Sequence, residues 1–263
     1  MRRTVTAHVE GSLEPDSEIV LSVAVADGVP LTGESLAVTL DGAPAAVTEM
    51  VDATGGRWHR ISGGGALVVD YAAETDALAA APPAGAFDRI EYLRPSRYCD
   101  SDRLLAVATS EFGSAAGKDL LDAVSSWVGR QLAYVSGSSR PVDGAVDTFL
   151  RRQGVCRDFA HLVIALLRGL GVPARMVSVY APGLSPMDFH AVAEAWVDDG
   201  WWVVDATTLA PRPSLLRIAT GRDAADTAFT SVLRGSMVPG PVVVTATVDQ
   251  LPADDLTLLT ALR

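Results

Sequence analysis

The stretch Gly154-Val155-Cys156-Arg157-Asp158-Phe159-Ala160 decides how this chain reads. Downstream of Cys156, the residues Phe159, Leu162, Val163, Leu166 and Leu170 recur at three- and four-residue steps. Ile164 and Leu167 widen the apolar face, which predicts a nearly buried helix. Gly169, Gly171 and Pro173 end it. Gly154 supplies the turn before it, so Cys156 is expected in the first helical turn. Asp158 there suits the helix dipole and offers a cap for a free N–H. A thiol attacks an acyl carbon as the thiolate, and a helix N-terminus and an adjacent imidazolium both favour that form. Cys156 is therefore a candidate nucleophile.

Its candidate partners follow at fixed distances. His190 lies 34 residues downstream and Asp205 a further 15. They bracket two runs rich in β-formers, His190–Val197 and Trp201–Asp205, on either side of the turn signal Asp198-Asp199-Gly200. A Cys, a His and an Asp on rigid elements are the parts of a nucleophilic triad. Register decides whether the last two meet. A tight turn at Asp199-Gly200 pairs Glu194 with Asp205 and leaves His190 four residues away, about 13 Å at strand rise. A looser loop centred on Val197–Asp198 sets His190 opposite Asp205. A working site needs the second register, or a bulge to the same effect.

The texture of the chain changes near residue 85. Before it, short strands are expected at Thr4–Val9, Glu18–Ala26, Leu36–Leu40 and Ala66–Tyr71, which suggests a small β-sandwich. Ala79–Gly85 reads as a linker or extended connection. Helices follow from the Asp100-Ser-Asp102 caps through Phe112, over Gly117–Tyr134, and over Val142–Arg152. After the Cys helix come a strand at Ala174–Tyr180 and a loop at Ala181–Asp188 that borders His190. Pro211–Asp226 is expected to be partly helical, with strands at Phe229–Leu233 and Val242–Val248. The domains expected are 1–85, β-rich, and 86–263, which carries the candidate triad.

Hydrophobic residues make up 49% of the 263 and charged residues 20%, enough for a sizeable core. The net charge of −11 argues against nucleic acid as a partner, since phosphate binding needs a basic face. No apolar run approaches about 18 residues, so no membrane span is expected. The N-terminus has no apolar stretch of signal-peptide length, and two cysteines make no disulfide framework; both point to the cytoplasm. No Cys or His pair has zinc-ligand spacing, and neither metal nor cofactor is expected. Cys99 reads as a structural thiol. His161 stands about 140° around the helix from Cys156 and reads as a core histidine. His8 and His59 have no visible partner. Trp196, Trp201 and Trp202 read as hairpin packing, one of them a possible wall of the acyl groove.

Several blocks together resemble the transglutaminase-like superfamily of papain-type folds, and most closely its bacterial branch of cysteine-protease-like members. They are Gly154-Val-Cys156-Arg-Asp158-Phe-Ala-His161, Gly171-Val-Pro-Ala-Arg175, His190 with Glu194 and Trp196, and Gly200-Trp-Trp-Val-Val-Asp205-Ala-Thr207. Gly221-Arg-Asp-Ala-Ala-Asp226 belongs with them, and the resemblance covers roughly residues 90–245. Val192 departs from the pattern, because relatives often carry an aromatic residue two after the His. The resemblance implies an α+β fold in which a helix bundle carrying Cys156 packs on an antiparallel sheet carrying His190 and Asp205. It implies thiol-dependent acyl transfer at amide bonds through a thioester, tilted toward a peptidase or isopeptidase acting on a peptide or protein. Amine acyl transfer is the alternative, and a non-catalytic binding module on the same fold is the competing class. An oxyanion hole needs the Cys156 N–H and a second donor. The resemblance favours Tyr134, with Gln153 and Gln131 as alternatives.

Overall fold

A computed structural model describes residues 1–80 and 85–263. The connection expected over Ala79–Gly85 therefore has its residues 81–84 outside the described part. The chain begins with β1 (Arg3–Leu21), β2 (Gly33–Leu40), β3 (Ala43–Pro44), β4 (Val47–Val51) and β5 (Arg57–Thr75). Helices α1 (Ala86–Glu91), α2 (Ser101–Phe112) and α3 (Gly117–Gln131) follow. Next come β6 (Ala133–Tyr134), α4 (Ala145–Arg151), β7 (Gln153–Gly154) and α5 (Cys156–Gly169). The chain continues through β8 (Ala174–Tyr180), β9 (Phe189–Val197), β10 (Gly200–Val204), β11 (Leu216–Gly221), α6 (Ala224–Thr227), β12 (Thr230–Arg234) and β13 (Met237–Val248).

The centre is α5. All residues from Asp158 to Arg168 are buried, as its wide apolar face predicts. Leu162, Ile164, Leu166 and Leu167 are fully buried, and each such side chain is worth about 1.5–3 kcal/mol of burial. One side of α5 meets α2, α3 and α4, and the other lies on the sheet β10-β9-β8-β11 through Ala174, Met176, Ala193 and Ala195. This sheet is antiparallel throughout. Its edge strand β11 falls within Pro211–Asp226, the segment expected to be partly helical. Only a short 3-10 turn at Arg212–Ser214 and α6 are helical there.

The N-terminal region differs from four short strands. β1 and β5 are each 19 residues long and pair along most of their length. Val5, Ala7, Val9 and Leu67, Val69, Tyr71 turn inward while Thr4, Thr6 and His8 turn out, the alternation of a sheet buried on one face. The pairing slips between Leu13 and Ser17, opposite Gly63 and Gly65, whose φ values of 148° and 108° suit only glycine. β12 and β13 return to pair with β1, giving one seven-stranded sheet that draws strands from both sides of residue 85. This sheet shares a core with Tyr180, Leu216, Ile218 and Ala219 of the second sheet. The Tyr180 hydroxyl donates to the Val23 carbonyl at 2.7 Å, and the Ala26 N–H donates to the Arg217 carbonyl at 2.9 Å.

Candidate active site

Cys156 is placed by the turn that precedes it. β6 and β7 form a short parallel pair that sets Tyr134 beside Gly154. The Val135 N–H donates to the Gly154 carbonyl at 3.0 Å. The Asp158 carboxylate folds back to accept from the Val155 N–H at 2.9 Å, capping α5. A Cβ on residue 154 would come within 2.6 Å of the Asp158 Cβ, so the turn needs glycine. Ser139 and Arg157 brace the other Asp158 oxygen at 2.9 and 3.2 Å. Cys156 thus opens the helix as a partly buried free thiol.

The hairpin takes neither of the two registers considered above. Asp198 and Asp199, at φ 48° and 57°, form a two-residue turn that pairs Val197 with Gly200 and Glu194 with Val203. Both tolerate the left-handed region a tight hairpin turn requires. Continued past β10, this register sets Asp205 across from Val192, so His190 is its diagonal neighbour. Diagonal pairs lie within reach of long side chains. His190 Nε2 lies 3.0 Å from Asp205 Oδ2, and both side chains are buried. Asp205 Oδ1 accepts from the Thr207 N–H at 2.9 Å and from the Thr207 hydroxyl at 2.7 Å.

Nδ1 of His190 is buried and has no hydrogen-bond partner. The Cys156 thiol shares a cleft with the ring and acts on its charge. Such contacts commonly close only when substrate binds. Burial opposes the imidazolium, but the Asp205 carboxylate and then Cys156 outweigh it and raise the His190 pKa to about 10. The same pairing overcomes burial at Asp205 and holds its carboxyl below the usual range. The Tyr134 phenol neighbours both the Cys156 main-chain N–H and the thiol, and burial followed by Cys156 pushes it up to about 12. Its ring leans on Phe159, 5.9 Å between centroids. Cys156, His190, Asp205 and Tyr134 therefore lie together.

Two clefts flank this point. One, of about 550 Å³, holds Cys156 and His190; the other, of about 580 Å³, holds Tyr134, Asp205 and Thr207. Neither includes Gln131, Gln153 or any of Trp196, Trp201 and Trp202. The Gln131 side-chain oxygen Oε1 instead accepts from Arg152 at 2.9 Å. Trp201 packs between Trp196 and Tyr92 under the Arg175 guanidinium, which ion-pairs with buried Glu194. Cys99 is fully buried, and burial pushes its thiol far up. His161 stacks on Tyr98 and accepts from the Ala224 N–H at 3.2 Å, and burial holds it neutral. His8 and His59 do have partners, the cross-strand residues Asp70 and Glu49, which only the pairing reveals. Among the described residues no cluster of His, Cys, Asp or Glu is placed to hold a metal ion, and no helix is long and apolar enough to cross a membrane.

Residues 88–206 match the family model for the transglutaminase-like superfamily. The solved structure of a Cytophaga hutchinsonii protein, described as a "putative cysteine protease", superposes with a TM-score of 0.87 at 32% identity, covering 100% of this chain and 96% of that one. The chain belongs to the transglutaminase-like superfamily. Two further relatives are uncharacterized mycobacterial proteins. One from Mycobacterium leprae is 30% identical over 152 residues, 52% of this chain and 53% of the relative. One from Mycobacterium tuberculosis is 37% identical over 87 residues, 30% of this chain and 28% of the relative. The aligned region thus spans about half or less of these two relatives. The Cytophaga match runs the whole length of this transglutaminase-like chain, so the N-terminal sheet is part of the shared fold. The sequence reading missed the hold of Thr207 on Asp205, although Thr207 closes the Gly200–Thr207 block and offers a donor two residues on, the pattern of an Asx turn.

Proposed function

We propose that this protein is a cysteine hydrolase of amide bonds, a peptidase or isopeptidase working through Cys156, His190 and Asp205. The observation that carries the reading is the His190 ring. Asp205 holds it by Nε2, and Nδ1 is left to the thiol at the head of α5. In this mechanism His190 already holds the thiol proton as an imidazolium, and the Cys156 thiolate adds to the amide carbonyl. The oxyanion lies between the Cys156 N–H and the Tyr134 hydroxyl. The C–N bond then breaks, and the amine leaves with the proton from His190. Water, deprotonated by the same ring, resolves the thioester to a carboxylate and restores the thiol. The Cytophaga relative described as a protease supports hydrolysis over transfer to an amine. A peptide or protein is the proposed substrate, and two free thiols suit a reducing, cytoplasmic setting.

Iodoacetamide labelling across pH 5–9, with peptide mapping, tests the reading, because Cys99 serves as an internal reference. Cys156 is expected to label fast at pH 6 and Cys99 hardly at all. Cys156→Ala removes amide hydrolysis and Cys99→Ala retains it. Equal, slow labelling of both thiols that rises only at alkaline pH would overturn the proposal in favour of a non-catalytic module.

A further inference from the structure

The cleft that holds Cys156 and His190 is walled on its far side by parts of the chain remote from all three candidate catalytic residues. Ser22 enters from the end of β1, Val242 from β13, and Phe229 from the segment leading into β12. The Ser22 N–H donates to the Phe229 carbonyl at 2.9 Å, which ties the end of β1 to the segment leading into β12. Phe229 stacks on Phe189 at 5.4 Å and 21°, and Phe189 lies on Tyr180 at 5.6 Å. Met176 and Ile218, each 1% exposed, close the floor.

Two hydroxyls on this lining lack a partner. The hydroxyls of Ser22 and Ser178 are buried, and neither has a hydrogen-bond partner. An unpaired buried hydroxyl is costly, so a pair of them in one cleft beside a candidate nucleophile calls for a partner. Arg157 Nε, on the same lining, is likewise buried without a partner, and as a donor it leaves the two hydroxyl protons without an acceptor. The Arg157 guanidinium is held by Ser139 and the Arg140 carbonyl, both at 2.6 Å. Asp188 stands exposed at the mouth and accepts from the Phe189 N–H at 2.7 Å.

We propose that this cleft is a specificity pocket for a neutral aromatic side chain next to the scissile amide, selected by Ser22, Ser178 and Phe229. The inference rests on the function proposed above, because a group joined to Cys156 must lie in the cleft that holds it. Flat apolar walls and stacked rings favour an aromatic body. The two hydroxyls favour one with a hydrogen-bonding tip, tyrosine above phenylalanine, because a site built to bond a hydroxyl rejects the analogue that lacks it. A charged side chain would lose its hydration against these apolar walls.

Chloroacetamides test this without a known substrate. The Cys156 sulfur displaces chloride, a C–S bond replaces the C–Cl bond, and the thiol proton passes to solvent through His190. Second-order rates at Cys156 are compared for reagents made from tyramine, phenethylamine, ethylenediamine and β-alanine. The aromatic pair is expected to react at least about tenfold faster than the charged pair. The tyramine reagent is expected to exceed the phenethylamine one by roughly threefold to tenfold. Ser22→Ala and Ser178→Ala should each pull that last ratio toward one, and Phe229→Ala should cut the aromatic advantage. Charged reagents that match the aromatic ones would overturn the pocket. A tyramine-to-phenethylamine ratio that both serine variants leave unchanged would overturn its selection by the hydroxyls. Failure of the proposed function has a different signature, a Cys156 that labels no faster than Cys99 with iodoacetamide, and the reagent ranking at pH 8.5 still reads the pocket in that case.

Discussion

Replacing Asp205 by Asn tests the heart of the site with a near-isosteric change. The Thr207 N–H and hydroxyl both donate to Asp205 Oδ1, at 2.9 and 2.7 Å. In Asp205→Asn these two donors keep the amide oxygen on their side, so the amide nitrogen turns to His190. It donates to Nε2, and the ring proton moves to Nδ1, facing Cys156. That tautomer has no lone pair with which to take the thiol proton. The wild-type environment raises His190 from 6.5 to about 10, which corresponds to roughly 5 kcal/mol of preference for the charged ring. Most of this disappears with the carboxylate, and burial then drives the ring below its ordinary value. The turnover expected is ~10⁴-fold lower, the scale seen when a triad loses its orienting carboxylate. Stability follows with a definite sign. A raised histidine contributes fully below about pH 6.5 and loses that contribution as pH climbs through 10, and a lowered aspartate contributes above about pH 4. The gap between wild type and variant is therefore widest between these limits and closes toward alkaline pH. NMR of ¹⁵N-histidine is the assay, and four histidines make assignment simple. His190 is expected to stay charged through pH 8 in the wild type and to be neutral at pH 7 in the variant. A wild-type His190 that is neutral at pH 8, or a variant ring that titrates unchanged, would refute the argument.

Three further changes reach other parts of the site. Tyr134→Phe keeps the ring packing on Phe159 but removes the hydroxyl, and kcat for an amide substrate is expected to fall by ~10²–10³ with little change in KM. Glu194→Ala strands Arg175 and Arg217, which bond the buried carboxylate at 2.8 and 2.6 Å, and urea denaturation should register a loss of about 3–5 kcal/mol. Gly154→Ala pushes a methyl against the Asp158 side chain. The expected loss is about 1–3 kcal/mol, and it should be accompanied by slower alkylation of Cys156, because the same carboxylate caps α5.

What is legible in the sequence follows the range of the interaction. The α5 helix and the strand Ala174–Tyr180 stand out because their patterns repeat within one element. The hairpin is legible as a hairpin, since a turn signal flanked by β-formers is local. Its register is not, because Asp198-Asp199, Asp199-Gly200 and a looser loop are close in energy, and side-chain packing on the sheet chooses among them. The Cys, His and Asp blocks, in order, point to one site. That His190 reaches Asp205 along a diagonal depends on where the turn falls. The N-terminal region reads as short pieces because Gly and Pro mark breaks at which β1 and β5 only bend.

The least legible feature is the return of β12 and β13 to β1. Arg3 pairs with Val248 and Leu21 with Thr230, contacts more than 200 residues apart that leave no mark in local periodicity. Yet this closure brings Phe229 to Ser22 and sets the far wall of the cleft beside Cys156. Cys156, His190 and Asp205 rest on α5 and the four-stranded sheet, while Ser22, Phe229 and Val242 on the same cleft belong to, or directly flank, strands of a sheet built from both ends of the described chain. Changes in that wall can therefore alter which side chain the cleft accepts while the Cys156, His190 and Asp205 geometry stays in place.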